Sequence, residues 1–245
     1  MKINHGTKTG RRGFLRAGAA GLALGVLPQS VRMAFGADGL KIGVIGSGRI
    51  GSTLGGIWVK AGHEVMFSSL DLEADKKLAA SLGPNARAGT PREAAAFGDV
   101  VLISVPYAAL PSVGRDLGDL IKGKIVIDTS NPIVARDGDM AVAAREKGAG
   151  ISSQEFLPGA RIVRTFNAVS YSQMANARQR GEQMAMPMAS DDADAVAVAS
   201  RLVRDVGYEP VLIGPLAMGK HLMPGTPLAG EHKPDEIRRI AATLK

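Results

Sequence analysis

The chain has 245 residues, 45% of them hydrophobic and 22% charged, a length and composition that bury a real core in one or two globular domains. Cysteine is absent, which excludes disulfides, thiolate zinc sites and a thiol nucleophile. The net charge of +7 is concentrated at the start: residues 1–36 carry Lys2, Lys8, Arg11, Arg12, Arg16 and Arg32 and no acid, while the remaining 24 basic residues face 23 acidic ones, so the body is nearly neutral and gives no support to nucleic-acid binding.

The leader combines Arg11-Arg12, a short apolar run over residues 17–27 rich in glycine and alanine, Pro28, and small residues ending at Gly36. That run is short for a membrane helix. Its RRGFLR segment resembles the twin-arginine translocation signal. Residues 1–36 are therefore expected to be a twin-arginine signal segment cleaved after Gly36, with the twin-arginine translocase as a partner during export and a periplasmic destination. A leader that does not function would leave the protein cytoplasmic.

From residue 40 onward, apolar runs of strand length alternate with longer helical patterns, the signature of strand-helix-strand crossovers and a parallel sheet. KIGVIG reads as the first strand and residues 50–61 as a helix stopped by Gly62. EVMFSS is a second strand, residues 72–82 a helix, and ARAG a short third strand. Thr90 and Pro91 suit a helix start. DVVLISVP is unbroken in its apolar character, as in a strand buried on both faces. A helix to Leu120, the strand KIVIDTS, a looser segment and the strand RIVRTFN follow. Beyond a polar, methionine-rich piece over residues 173–186, MPMAS reads as a strand, residues 191–206 as a helix stopped by Gly207, EPVLIG as a strand, and a last helix follows Pro234. The expected fold class is α/β: a Rossmann-type, doubly wound, mainly parallel sheet with helices on both faces and a small C-terminal extension. Residues 37–170 would form the NAD(P)-binding domain and 171–245 a small α/β portion closing the acceptor site.

Gly46-Ser47-Gly48-Arg49-Ile50-Gly51 matches GxGxxG directly behind a strand and at the opening of a helix, the context in which the pattern binds dinucleotides. The first glycine permits the tight turn, the second lets the backbone approach a pyrophosphate, and the third lets the helix lie on the strand. Amides at the helix start then face the phosphates. The second strand closes on Phe67-Ser68-Ser69-Leu70, where an NAD site places an acid against the ribose. Two hydroxyls can donate to a 2′-phosphate, so NADP is favoured; NAD stays open through Asp71 if the strand ends later. Arg49, with Lys76 and Lys77 nearby, offers a cation to a phosphate, although the two lysines read more simply as a solvated helix face. His5, His63, His221 and His232 lie far apart without ligand spacing, so no metal site is expected, and no catalytic acid or base is identified.

KIGVIGSGRIGSTL, GHEVMFSS, DVVLISVPYAAL, IVIDTSNPI, ARIVRTFNAVS and DDADAVAVASRLVRDVGYEPVLIGPLA, in that order, resemble successive blocks of the NADPH-dependent coenzyme F-420 (deazaflavin) reductases and related oxidoreductases, including the cytoplasmic domain of the STEAP metalloreductases. The resemblance implies hydride transfer, a small C-terminal portion over the nicotinamide, and a homodimer. It places the cofactor loop at residues 46–51, the phosphate-selecting turn at Ser68 and Ser69, the strand end along the cofactor at Ser104, Val105, Pro106 and Tyr107, and an Asn-Pro turn near the nicotinamide at Asn131 and Pro132. Asn167 would stand at the far wall, and Lys220 and His221 could face a small-molecule electron acceptor. Leu70 departs from the family, which commonly has arginine after the serine of the phosphate turn.

Three functions compete on these features. The first is an NADPH-dependent oxidoreductase whose acceptor is a deazaflavin, a flavin or another small molecule. The second is a non-catalytic dinucleotide-binding protein exported with its cofactor. The third, a small-metabolite dehydrogenase such as an imino-acid reductase, ranks last, because the residues after the last block are too few for the long helical domain those enzymes add.

Overall fold

The computed structural model describes residues 39–244, so the signal segment read over residues 1–36 lies outside the described residues. The chain runs β1 (Lys41–Ile45), α1 (Arg49–Lys60), β2 (Glu64–Ser68), α2 (Leu72–Leu82), β3 (Ala86–Ala88), α3 (Pro91–Phe97), β4 (Val100–Ile103), α4 (Leu110–Ile121), β5 (Ile125–Asp128), α5 (Val134–Lys147), α6 (Ala149–Phe156), β6 (Arg161–Arg164), α7 (Tyr171–Ala175), β7 (Ala185–Ala189), α8 (Ala193–Val206), β8 (Glu209–Gly214) and α9 (Pro234–Ala241). The strands form one sheet in the order β3-β2-β1-β4-β5-β6-β7-β8, parallel throughout except between β6 and β7. This is the expected Rossmann-type α/β fold, with the chain reversing its direction of travel across the sheet between β1 and β4.

Strand periodicity sorts the core into two layers. Ile42, Val44, Val100, Leu102, Ile125 and Ile127 face one side of the sheet, with Leu54 and Trp58 of α1 and Leu202 of α8. Ile45, Val101, Ile103 and Val126 face the other, with Leu110, Leu117 and Ile121 of α4. Gly43 faces that second layer, and a methyl group there would stand 2.0 Å from the Ala94 carbonyl, so α3 can lie directly on β1 only because that side chain is missing. Trp58 donates Nε1–H to the Leu202 carbonyl at 3.0 Å, and buried His63 accepts from Leu40 N and bonds Asp205, so both serve the structure.

Residues 171–244 continue the same sheet through β7 and β8, with α9 and Leu228 covering its far edge. The looser segment before β6 contains two helices, α5 and α6. Gly138 breaks α5 at φ +59°, and the buried positions of α6 are Ala149, Gly150, Ser152 and Ser153, so neither presents the large apolar stripe that marks a surface helix in sequence.

Candidate functional site

At the carboxyl end of β1 the three glycines of the loop have three different surroundings. Gly46 has φ +96°, and a Cβ there would lie 2.3 Å from the Ser104 carbonyl oxygen. At Gly51 a Cβ would lie 2.1 Å from the Gly46 carbonyl, so this glycine sets how closely α1 meets the turn. At Gly48 nothing lies within 4 Å: the missing side chain leaves open space outside the protein surface. The α1 N-terminus carries no side-chain cap and no acid in its first turn, which leaves its leading amides to a ligand. Gly46 N and Ser47 N both donate to the Ser68 carbonyl, at 2.9 and 3.0 Å, fixing the loop against the end of β2.

Two cavities flank this loop and share Gly48, Ser104, Val105 and Pro106. One, of about 460 Å³, lies toward β2 and α3 and includes Gly46, Ser69, Leu70 and Pro91. The other, of about 320 Å³, lies toward β5 and includes Arg49, Ile50, Thr129, Ser130, Asn131 and Arg136. Together they form one crevice across the carboxyl edge of the sheet at the switch point, where open parallel sheets bind nucleotides.

The crevice separates the sequence-predicted residues into lining and supporting groups. Gly46, Gly48, Arg49, Ile50, Ser69, Ser104, Val105, Pro106 and Asn131 line it. Ser68 is buried, and its hydroxyl donates to the Val44 carbonyl at 2.7 Å, so it braces β1 instead of facing a phosphate. Tyr107 is fully buried and donates to the Ala149 carbonyl at 2.9 Å, anchoring α6. Pro132 is buried, with its carbonyl accepting from Arg145 at 3.2 Å. Lys220 and His221 sit on a short 3₁₀ turn, Leu216–His221, that packs against α6, and neither lines either cavity.

Asn167 acts one layer back. Its Nδ2 donates to the carbonyls of Asp128, at 3.1 Å, and Ser130, at 3.4 Å, and the Asn167 carbonyl accepts from Asn131 Nδ2 at 2.8 Å. Phe166, at φ +64° and packed edge-on to Trp58, makes the turn that brings Asn167 there. A bulky residue in that conformation is strained and needs surrounding structure to hold it.

Beneath this turn lies an ion pair that sequence reading missed. Arg164 and Asp128, both without solvent exposure, meet at 2.5 Å. Asp128 also accepts from Ser130 N and Ser153 Oγ, both at 2.8 Å, and Arg164 donates to the Ser130 carbonyl at 3.0 Å. Gly150 and Gly219 make the room, since a Cβ at either would press on Arg164 Cδ, at 3.2 and 2.6 Å. At the next turn Asp137 accepts from Ile133 N at 2.9 Å and is paired with Arg136, whose Nη2 donates to the Asn131 carbonyl at 2.8 Å. The Arg136 hydrogen bonds hold the Asp137 carboxyl below its ordinary range despite its burial.

The residues present fit a nicotinamide dinucleotide. The amides at the start of α1 and the space over Gly48 suit a pyrophosphate. Ser130 Oγ and Asn131 Oδ1 are buried polar atoms in the wall of the β5-side cavity without a hydrogen-bond partner among the described residues, and a carboxamide NH₂ would supply donors there.

Residues 41–132 match the family model described as NADP oxidoreductase, coenzyme F420-dependent. Among curated proteins, the chain is 29% identical to the F420-dependent NADP reductase of Methanothermobacter thermautotrophicus, over 77% of this chain and 87% of that protein. It is 27% identical to the metalloreductase STEAP3 of Rattus norvegicus over 74% of this chain, which spans only 35% of the rat protein. A crystal structure from Arthrobacter sp. FB24, described as a candidate F420-dependent NADP-reductase, shares the fold at a TM-score of 0.66 and 23% identity, covering 74% of this chain and 88% of that one. The chain is thus similar to the coenzyme F420-dependent NADP oxidoreductases, and the family-model match falls on residues 41–132, which build the glycine loop and most of the crevice.

Proposed function

We propose that the protein is an NAD(P)H-dependent oxidoreductase that passes a hydride between a nicotinamide dinucleotide and a small acceptor of the deazaflavin or flavin class, with NADP suggested by the curated relatives. The observation that carries the reading is the uncapped start of α1 beside the open space at Gly48, set between two cavities at the switch point. The adenosine half would lie over Ser69 and Leu70 and the nicotinamide half over Ser130 and Asn131, because the end of β2 is where such folds hold the adenosine ribose. The dinucleotide supplies the hydride. The α1 amides would hold the dinucleotide, the Asp128, Arg164 and Asn167 network would fix the wall of the β5-side cavity, and Val105, Pro106 and Ile133, which line that cavity, would help to keep water from the reacting ring.

Purified protein should show saturable quenching or enhancement of nicotinamide fluorescence, and a screen of deazaflavin, flavin and quinone acceptors should find one that oxidises the bound nucleotide. No signal with either NADH or NADPH would remove the reading. Binding without turnover by any acceptor would favour a non-catalytic dinucleotide carrier instead. Residues 1–36 are proposed as a twin-arginine signal, and replacing Arg11 and Arg12 by lysine should keep the protein in the cytoplasmic fraction.

A further inference from the structure

At the β2 end of the crevice stands a carboxylate that the glycine-loop pattern does not include. Asp75, on the first turns of α2 and 1% exposed, accepts hydrogen bonds from two serine hydroxyls: Ser47 of the glycine loop and Ser69 at the end of β2, the latter at 2.8 Å. Among the described residues it makes no ion pair, and its charge sits near the positive end of α2. Asp71, the other acid nearby, is engaged as the α2 N-cap, accepting from Ala74 N at 2.9 Å.

A serine hydroxyl has one proton. Ser69 directs its proton to Asp75 at 2.8 Å, with the Asp71 carbonyl a longer acceptor at 3.3 Å, and accepts from Asp71 N at 3.1 Å, while Ser47 directs its proton to the same Asp75 carboxylate. What these two oxygens then offer a ligand is acceptor capacity. A ribose diol is a donor and is satisfied by acceptors; a 2′-phosphate needs donors or cations and is repelled by the carboxylate behind them.

The neighbouring cations do not reverse this. Arg49 lines the β5-side cavity and lies over the Tyr171 ring at 5.6 Å. Lys76 is paired with Glu73 at 2.8 Å, and Arg92 with Asp119 at 2.7 Å. Lys77 is exposed two residues beyond Asp75, on the opposite side of the helix. Leu70, fully exposed at the cavity rim, contributes no charge.

We infer that Asp75 is a positioning residue for cofactor selection, turning Ser47 and Ser69 into acceptors for an unphosphorylated adenosine ribose, so that this chain uses NADH at least as well as NADPH. The inference rests on the dinucleotide reading above and departs from the NADP named for its relatives. The test is the ratio of NADH to NADPH dissociation constants by nicotinamide fluorescence, together with the ratio of kcat/KM with one acceptor. The wild-type chain is expected to favour NADH or to treat the two alike. Asp75→Asn, which keeps the shape and removes the charge, should move both ratios about tenfold toward NADPH. Leu70→Arg, at an exposed position that cannot disturb the core, should move them the same way. A wild type favouring NADPH tenfold or more, an unchanged ratio in Asp75→Asn, or no gain for NADPH in Leu70→Arg overturns the inference and leaves the dinucleotide reading intact. Failure of both nucleotides to bind overturns the dinucleotide reading itself.

Discussion

Glycine at three positions of one short loop serves three separate physical needs, and substitution can separate them. Gly48 has φ −62°, a conformation open to any residue, and no neighbour to a Cβ within 4 Å. Gly48→Val is therefore expected to fold with a thermal midpoint close to wild type while abolishing nucleotide binding, because its side chain would occupy the pyrophosphate position. Gly51→Ala should do the reverse in kind, lowering stability by about 1–3 kcal/mol as its methyl group pushes on the Gly46 carbonyl. Thermal unfolding alongside nicotinamide fluorescence distinguishes the two, and a Gly48→Val protein that still binds would place the phosphates elsewhere. The Arg164 and Asp128 pair makes a sharper prediction. With neither group exposed, Arg164→Met leaves a buried carboxylate without its counter-charge and should cost about 3–5 kcal/mol in urea unfolding. Adding Asp128→Asn should recover part of that loss, since the two residues share one network. If the double variant is as unstable as the sum of the singles, the pair is not coupled as its geometry indicates.

Among the elements, those with a strong local signature were legible in sequence and those shaped by tertiary contacts were not. Strands β1 and β4 declare themselves through apolar runs, and α3 through Thr90, which forms a full capping box with Glu93, and through Pro91 in its first turn. Helix α8 is marked at both ends, by Asp192 as its N-cap and by Gly207, left-handed at φ +113°. By contrast α5 is broken at Gly138, α6 buries mainly small residues against its neighbours, and α7 is a single capped turn too short to carry a period. The site divides in the same way. Its glycines and the β4 end lie within contiguous motifs, whereas Asp75 reaches the loop from 28 residues away and Arg164 reaches Asp128 from 36. Nothing in local spacing encodes such encounters. Asp137 is another, joining the start of α5 to the 3₁₀ turn after β4 through Ile133 N and Ala108 N. Its carboxyl is held below the ordinary 3.8 by Arg136, so the contribution is present at neutral pH and lost as pH falls below about 4 through the lowered folded value. Asp137→Ala should reduce stability by about 1–2 kcal/mol at neutral pH, with a smaller difference from wild type in strong acid. Equal differences at both pH values would show that the carboxylate charge plays no part.

Across the whole molecule the sheet is longer than a dinucleotide fold requires, and its last two strands are secured by a buried polar cluster near the C-terminus. Tyr208, 1% exposed, donates to Glu231 Oε1 at 2.6 Å, and Arg180 pairs with the same carboxylate, so the start of β8, the segment before α9 and the segment before β7 meet at one point. Burial pushes the Tyr208 hydroxyl from 10.0 up to about 12, opposed in part by Arg180. In the unfolded chain the phenol ionises near pH 10, while the folded protein still holds its proton. The stability associated with this group is therefore complete below pH 10 and is lost as pH rises from 10 toward 12, because only the unfolded state releases the proton in that window. Chemical unfolding across this range should lose up to about 2 kcal/mol from Tyr208 alone, with Tyr107, also raised by burial, adding to the slope. Tyr208→Phe removes the ionisable group and keeps the ring. Its stability should start lower at neutral pH, by about 1 kcal/mol for the lost hydrogen bond, and then fall less steeply than wild type above pH 10. Parallel slopes in the two proteins would mean that alkaline sensitivity arises elsewhere and that this cluster does not close the end of the sheet.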